Sequence, residues 1–203
     1  MPPARTPPSP DPPRRRADAQ RNVDRILEAA VDALAGDPES SMAEVARRAG
    51  VVRATVYVHF PTRESLLDAV TDHAIGEVTR VIAAAEPERG AAADALGRVV
   101  AAAWRALGRF HGLVAINTRL PQDELHRRHA PVLALLAPLI ERGQRDGAFR
   151  GEVSVRWHLA MILALVHAAS AELRAGRLPA DEIEAAAVTT VLGAVVANSA
   201  RID

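Results

Sequence analysis

Val23, Ile26, Leu27, Ala30, Val31 and Leu34 recur at the three- and four-residue spacing that gathers them on one face of an amphipathic helix. Gly36, Asp37 and Pro38 end it. Ser41 and Glu44 announce a second helix as the two ends of a capping box, with Met42, Val45, Ala46 and Ala49 as its apolar face. Gly50 stands where a chain leaving a helix takes up a left-handed conformation, and a short helical run from Arg53 to Phe60 follows at once. Helix, glycine turn, helix is the grammar of a helix-turn-helix. Pro61 and Thr62 then break and recap the chain, and Leu66, Leu67, Val70, Ala74, Val78 and Val81 carry a long helix to about residue 85.

From Ala91 onward the pattern predicts helices only, near 91–110, 111–120, 131–146, 155–175 and 180–200. The breaks fall at Pro121, at His129 to Pro131, at Gly143 to Glu152 and at Gly176 to Pro179. Leu159, Ile162, Leu163, Val166 and Ala169 on one of the last two helices, and Ile183, Ala187, Val191, Ala194 and Val195 on the other, suit a closely packed antiparallel pair. Charge is sparse on both, which leaves more apolar surface than one subunit covers. A helical homodimer interface is the expected consequence.

Composition narrows the class. The chain has 203 residues, 25 basic and 25 acidic, no Cys, and 3% aromatics. Every basic residue is Arg, and Ala makes up about a fifth of the chain. Disulfides, thiolate metal sites, cysteine nucleophiles and lysine Schiff bases are thereby excluded, and an all-α fold is expected. Zero net charge excludes a uniformly basic nucleic-acid coat, so any DNA contact must come from a local patch. The most apolar stretch, Leu159 to Ala171, is shorter than the roughly 18 to 20 residues that span a bilayer. Seven prolines between Met1 and Pro13 replace the apolar core of an export signal, and a cytoplasmic location is expected. Residues 1–17, ending near Arg14, Arg15 and Arg16, read as a disordered Pro/Arg-rich arm. A head at 18–62 and a helical body at 63–203 follow it.

The stretch Ser41 to Val70 reads SMAEVARRAGVVRATVYVHFPTRESLLDAV. It closely resembles the DNA-binding segment of the TetR family of transcriptional regulators, matching at Val45, Ala46, Ala49, Gly50, Val51, Thr55, Tyr57, Phe60, Thr62, Arg63, Glu64, Leu66 and Leu67 without a gap. Val52 departs from the pattern, standing where the family usually has a Ser or Thr helix cap. Val58 stands where many members carry a larger or polar residue. Between Val45 and Arg63 lie Arg47, Arg48, Arg53 and Arg63 and no carboxylate, the local basic patch that neutrality demands.

The resemblance implies a homodimeric DNA-binding repressor whose short helix enters the major groove. It implies that Arg53, Ala54 and Thr55 face bases, that Tyr57 and His59 contact backbone or base methyls, and that Ser41, Thr62 and Arg63 hold phosphates. Val56 and Phe60 should be core. It further implies a pseudo-palindromic operator and, in the C-terminal domain, a dimer interface and a cavity for a small-molecule effector. Trp104, Phe110, His111, Asn117, Trp157, His158, Met161 and His167 are the candidate lining residues, since the aromatic and imidazole groups of this aromatic-poor chain concentrate there. A mostly apolar pocket with a few polar groups suits a hydrophobic or aromatic effector.

Other chemistries leave few traces. Asp123, Glu124, His126 and His129 have the spacing of a metal-binding turn, but Arg127 and Arg128 lie between the histidines and prolines bracket the segment, so a solvated loop is expected. The chain has no Gly-x-Ser-x-Gly and no Gly-rich phosphate loop, nothing nominates an active site, and no cofactor is called for. The competing class is a helical enzyme or metal-binding protein acting through residues 91–200. An architectural protein that binds DNA without sequence preference is a third.

Overall fold

The computed structural model describes residues 12–117 and 121–197. Among these the chain forms α1 (Pro12–Gly36), α2 (Met42–Ala49), α3 (Arg53–His59), α4 (Arg63–Ala84), α5 (Ala92–Leu107), α6 (His111–Asn117), α7 (Gln122–Arg128), α8 (Ala130–Arg145), α9 (Val155–Arg174) and α10 (Ala180–Val195). The fold is all-α; the one β-type pairing among the described residues is a bridge between Phe149 and Val196.

Local signals account for most boundaries. Gly50 adopts φ +64°, where a Cβ would be strained, and its N–H reaches back to the carbonyls of Ala46 and Arg47. Ser41 Oγ accepts the Glu44 N–H at 3.2 Å, but only this half of the expected box forms. The Glu44 carboxylate turns instead to Arg47 and Arg48, because a charge-assisted pair outweighs a bond to a neutral amide. Thr62 and Ser65 make a complete reciprocal cap at the start of α4.

Three departures from the sequence reading are physical. α1 begins at Pro12, so residues 12–17, assigned to the disordered arm, are helical: proline is tolerated in a first helical turn, where its missing N–H would have had no partner. Residues 1–11 lie outside the described residues. The loop expected at 121–131 is a helix, α7, introduced by Pro121 and followed immediately by α8, which has Pro131 in its first turn. The last helix stops at Val195, where the chain turns to pair with the segment after α8: Arg150 N–H donates to Val195 O at 2.9 Å and Ala197 N–H to Ala148 O at 3.0 Å.

Two hydrophobic cores meet inside α4. Leu66, Val70 and Ala74 bury into the head with Ile26, Ala30, Val45, Val56 and Phe60, whereas Val78 and Ile82 bury into the body with Leu96, Val99, Ile140 and Val191. Phe110, just before α6, and Leu113 within it also belong to the head's core. The head is therefore welded to the body by one continuous helix and by the α5–α6 corner. At that corner Gly112 lies so close to α1 that a Cβ would collide with the Leu34 carbonyl oxygen.

Candidate nucleic-acid interface and adjoining cavity

α3 buries one face and presents the other. Val56 is fully buried and Phe60 nearly so, which holds the helix against the head as expected. Arg53, Ala54, Tyr57 and Val58 are exposed, and Thr55 and His59 are partly so. Arg53 Nη2 donates to Tyr57 Oη at 3.0 Å, and its guanidinium carbon lies 5.3 Å from the ring centroid, so the two side chains form one cationic platform. The Tyr57 hydroxyl hydrogen remains available to a further acceptor. Val58 and Val52 are 77% and 70% exposed, the most exposed large apolar side chains among the described residues. Neither is among the contact residues drawn from the resemblance, which singled them out only as departures from the family pattern. Val52, the expected departure at the cap position, makes no side-chain capping bond.

The flanks of α3 carry hydroxyls and cations. Ser41 Oγ and Thr62 Oγ1 each accept a backbone N–H at a helix start, and each hydroxyl keeps its hydrogen to donate. Arg63 is partly buried and donates to Pro38 O at 2.6 Å, tying α4 to the α1–α2 turn. The Arg patch is less free than its sequence implies. Arg47 and Arg48 both pair with Glu44, whose carboxyl is lowered to about 2 by their hydrogen bonds.

Behind the head, α4, α5, α6, α8 and α9 surround a cavity of about 90 Å³. Its wall is aliphatic apart from Phe110, Thr71, His129 and His167, and no Arg, Asp or Glu lines it. Of the lining candidates, Phe110 and His167 are in the wall. Trp104 is buried with its ring 5.1 Å from that of His111, and His111 Nδ1 lies 3.3 Å from Ser170 Oγ, so both pack outside the wall. Met161 packs into the body core, Trp157 is 66% exposed, and His158 is buried with neither ring nitrogen bonded to a described residue. The Asn117 side chain lies outside the described residues. His129, weighed for a metal, is instead a cavity residue, while Glu124 pairs with Arg127 and Arg128.

The described donors that converge as a metal site would require are Glu28 on α1 and His73 and Glu77 on α4. His73 Nε2 lies 3.1 Å from Glu28 Oε1, and Arg109 forms an ion pair with the same carboxylate. The Arg109 hydrogen bond lowers the Glu28 pKa, with the guanidinium serving as the cluster's counter-charge.

Residues 26–70 match the model of the bacterial regulatory proteins of the tetR family. The match covers the head, from within α1 to the first turns of α4. Within it α2 and α3 form the helix-turn-helix of a DNA-binding transcriptional regulator. The chain is 37% identical over 81 residues to the transcriptional repressor LfrR of Mycolicibacterium smegmatis, an alignment that spans 40% of this chain and 43% of that protein. It is 26% identical over 159 residues to the transcriptional regulator NfxB of Pseudomonas aeruginosa, covering 76% of this chain and 83% of that one. The solved structure of LfrR from Mycobacterium smegmatis in complex with proflavine superposes with a TM-score of 0.70 at 25% identity, covering 89% and 99% of the two chains. The regulator FadR from Bacillus subtilis, solved with stearoyl-CoA, shares the fold with a TM-score of 0.68 at 19% identity, covering 83% and 96%. No helix among the described residues is long and apolar enough to cross a membrane.

Proposed function

We propose that the protein is a homodimeric, cytoplasmic repressor that occupies a pseudo-palindromic operator and is released by a small molecule in the α4–α9 cavity. The observation that carries this reading is the outer face of α3, which offers a cation, a phenol, and apolar side chains to whatever lies against it. In a major groove Arg53, Ala54 and Thr55 read base edges, Tyr57 and His59 contact backbone or base, and Val58 meets a thymine methyl. Ser41, Thr62 and Arg63 hold phosphates on either side.

The dimer is supported by α9 and α10. Trp157, Ala160, Ala164, Ala168 and Ala171 are exposed along α9, and Ala185, Ala186, Thr189, Thr190 and Gly193 along α10. Small residues on both helices let a second pair approach closely and cover apolar surface that one subunit leaves wet. Two-fold symmetry then sets two α3 helices about one turn of DNA apart, ~34 to 36 Å, or somewhat more. The effector acts by favouring a head separation that no longer fits, which requires different affinity for the two arrangements.

Selection of bound duplexes from a random pool at near-physiological salt tests the reading. An enriched inverted repeat is the expected result; a folded protein that enriches nothing, or binds all duplexes alike, would overturn it.

A further inference from the structure

The cavity's polar groups say which head group its occupant carries. All but four of the lining residues are aliphatic, and none of the lining side chains is a carboxylate or a guanidinium, so a cation entering here meets no counter-charge. The four exceptions are Phe110, Thr71, His129 and His167, and the Thr71 hydroxyl donates to Leu67 O at 2.8 Å. His129 and His167 stand together, with ring centroids 5.4 Å apart and planes at 68°.

Their hydrogen-bonding capacity can be counted. His129 Nδ1 lies 2.8 Å from Leu125 O, and because a carbonyl only accepts, Nδ1 must carry the proton. In a neutral ring Nε2 is then an acceptor. Neither nitrogen of His167 bonds to a described residue, so a neutral His167 brings one donor and one acceptor. Burial keeps both rings neutral, and the proximity of His129 adds to the effect on His167, which is lowered to about 4. The pair therefore presents acceptors together with one N–H inside an apolar wall. A carboxylate can only accept, leaves the ring acceptors unmatched and finds no guanidinium in the wall; an ammonium can only donate and finds no carboxylate there. A hydroxyl donates and accepts while remaining uncharged.

We propose that the cavity selects an uncharged apolar molecule bearing a hydroxyl, an alcohol or phenol, which docks that hydroxyl between His129 and His167. The proposal rests on the effector reading of the cavity and sharpens it.

Four probes on one frame test it: 1-naphthol, naphthalene, 1-naphthoate and 1-naphthylmethylammonium, each titrated calorimetrically into the full-length protein at pH 7.5. The expected result is that 1-naphthol binds about tenfold or more tightly than each of the other three, since a buried polar pair left unmatched penalises the alternatives. In His167→Phe the hydroxyl keeps only the His129 acceptor, so the advantage of 1-naphthol over naphthalene should shrink several-fold; an advantage equal to the wild type's would overturn the part assigned to His167. Equal binding of 1-naphthol and naphthalene to the wild type, or tighter binding of either charged probe, would overturn the hydroxyl assignment and leave the effector cavity standing. Binding of none of the four would overturn the cavity reading and this assignment together.

Discussion

At the residue level, the basic side chains of the head differ in how far they are already engaged. Arg47 and Arg48 share Glu44, whereas Arg53 leans on Tyr57 and no described carboxylate pairs with it. Val58→Ala should leave stability unchanged, since the side chain is 77% exposed, yet remove the preference for thymine at one position of each half-site. Repeating the duplex selection with the variant checks this, and an unchanged consensus would show that Val58 meets no base. Arg63 has two roles to separate. Loss of its 2.6 Å bond to Pro38 O should cost Arg63→Ala about 1 to 2 kcal/mol in denaturant unfolding. Loss of a phosphate contact should also flatten the salt dependence of binding by about one unit of log–log slope. A destabilised variant with an unaltered slope would assign Arg63 to structure alone.

At the scale of elements, the α5–α6 corner does two things within six residues. Phe110, Leu113 and Val114 face the cavity, while Arg109 pairs with Glu28 on α1 and Gly112 abuts the end of the same helix. Gly112→Ala would force its Cβ into the Leu34 carbonyl, and an unfolding free energy lower by about 1 to 3 kcal/mol is expected, with faster amide exchange in α1. Wild-type stability in this variant would mean the corner has slack. Such close contact was not legible in the sequence, where Gly112 is one small residue among many. The head was legible because each of its signals is local: a cap at Ser41, a left-handed turn at Gly50, a second cap at Thr62. α7 was missed because proline was taken as a break, when Pro121 introduces one helix and Pro131 sits in the first turn of the next. The cavity was half legible. Searching for aromatic and imidazole groups found Phe110 and His167, but the remaining wall is Val, Leu, Ile and Ala, which in sequence look the same as core.

At the scale of the whole molecule, buried histidines tie stability to pH. Burial lowers the pKa of His111, His129, His158 and His167, the last from 6.5 to about 4. In that interval the unfolded chain takes up protons that the folded chain refuses, so stability present above pH 6.5 is lost as the pH falls toward 4. For His167 alone the loss is about 2 kcal/mol by pH 5. The melting temperature of His167→Phe should therefore fall less between pH 7.5 and pH 5 than that of the wild type, and parallel declines would contradict the burial argument. The proposed repressor reads DNA through the exposed face of α3. Competition titration of Tyr57→Ala against the wild type on the selected duplex, with random duplex as competitor, tests this most directly. The predicted result is a folded protein of unchanged oligomeric state whose specific affinity falls tenfold or more, roughly the 1.4 kcal/mol or greater expected for a buried interface aromatic. Operator affinity equal to the wild type's would place recognition elsewhere and contradict the account.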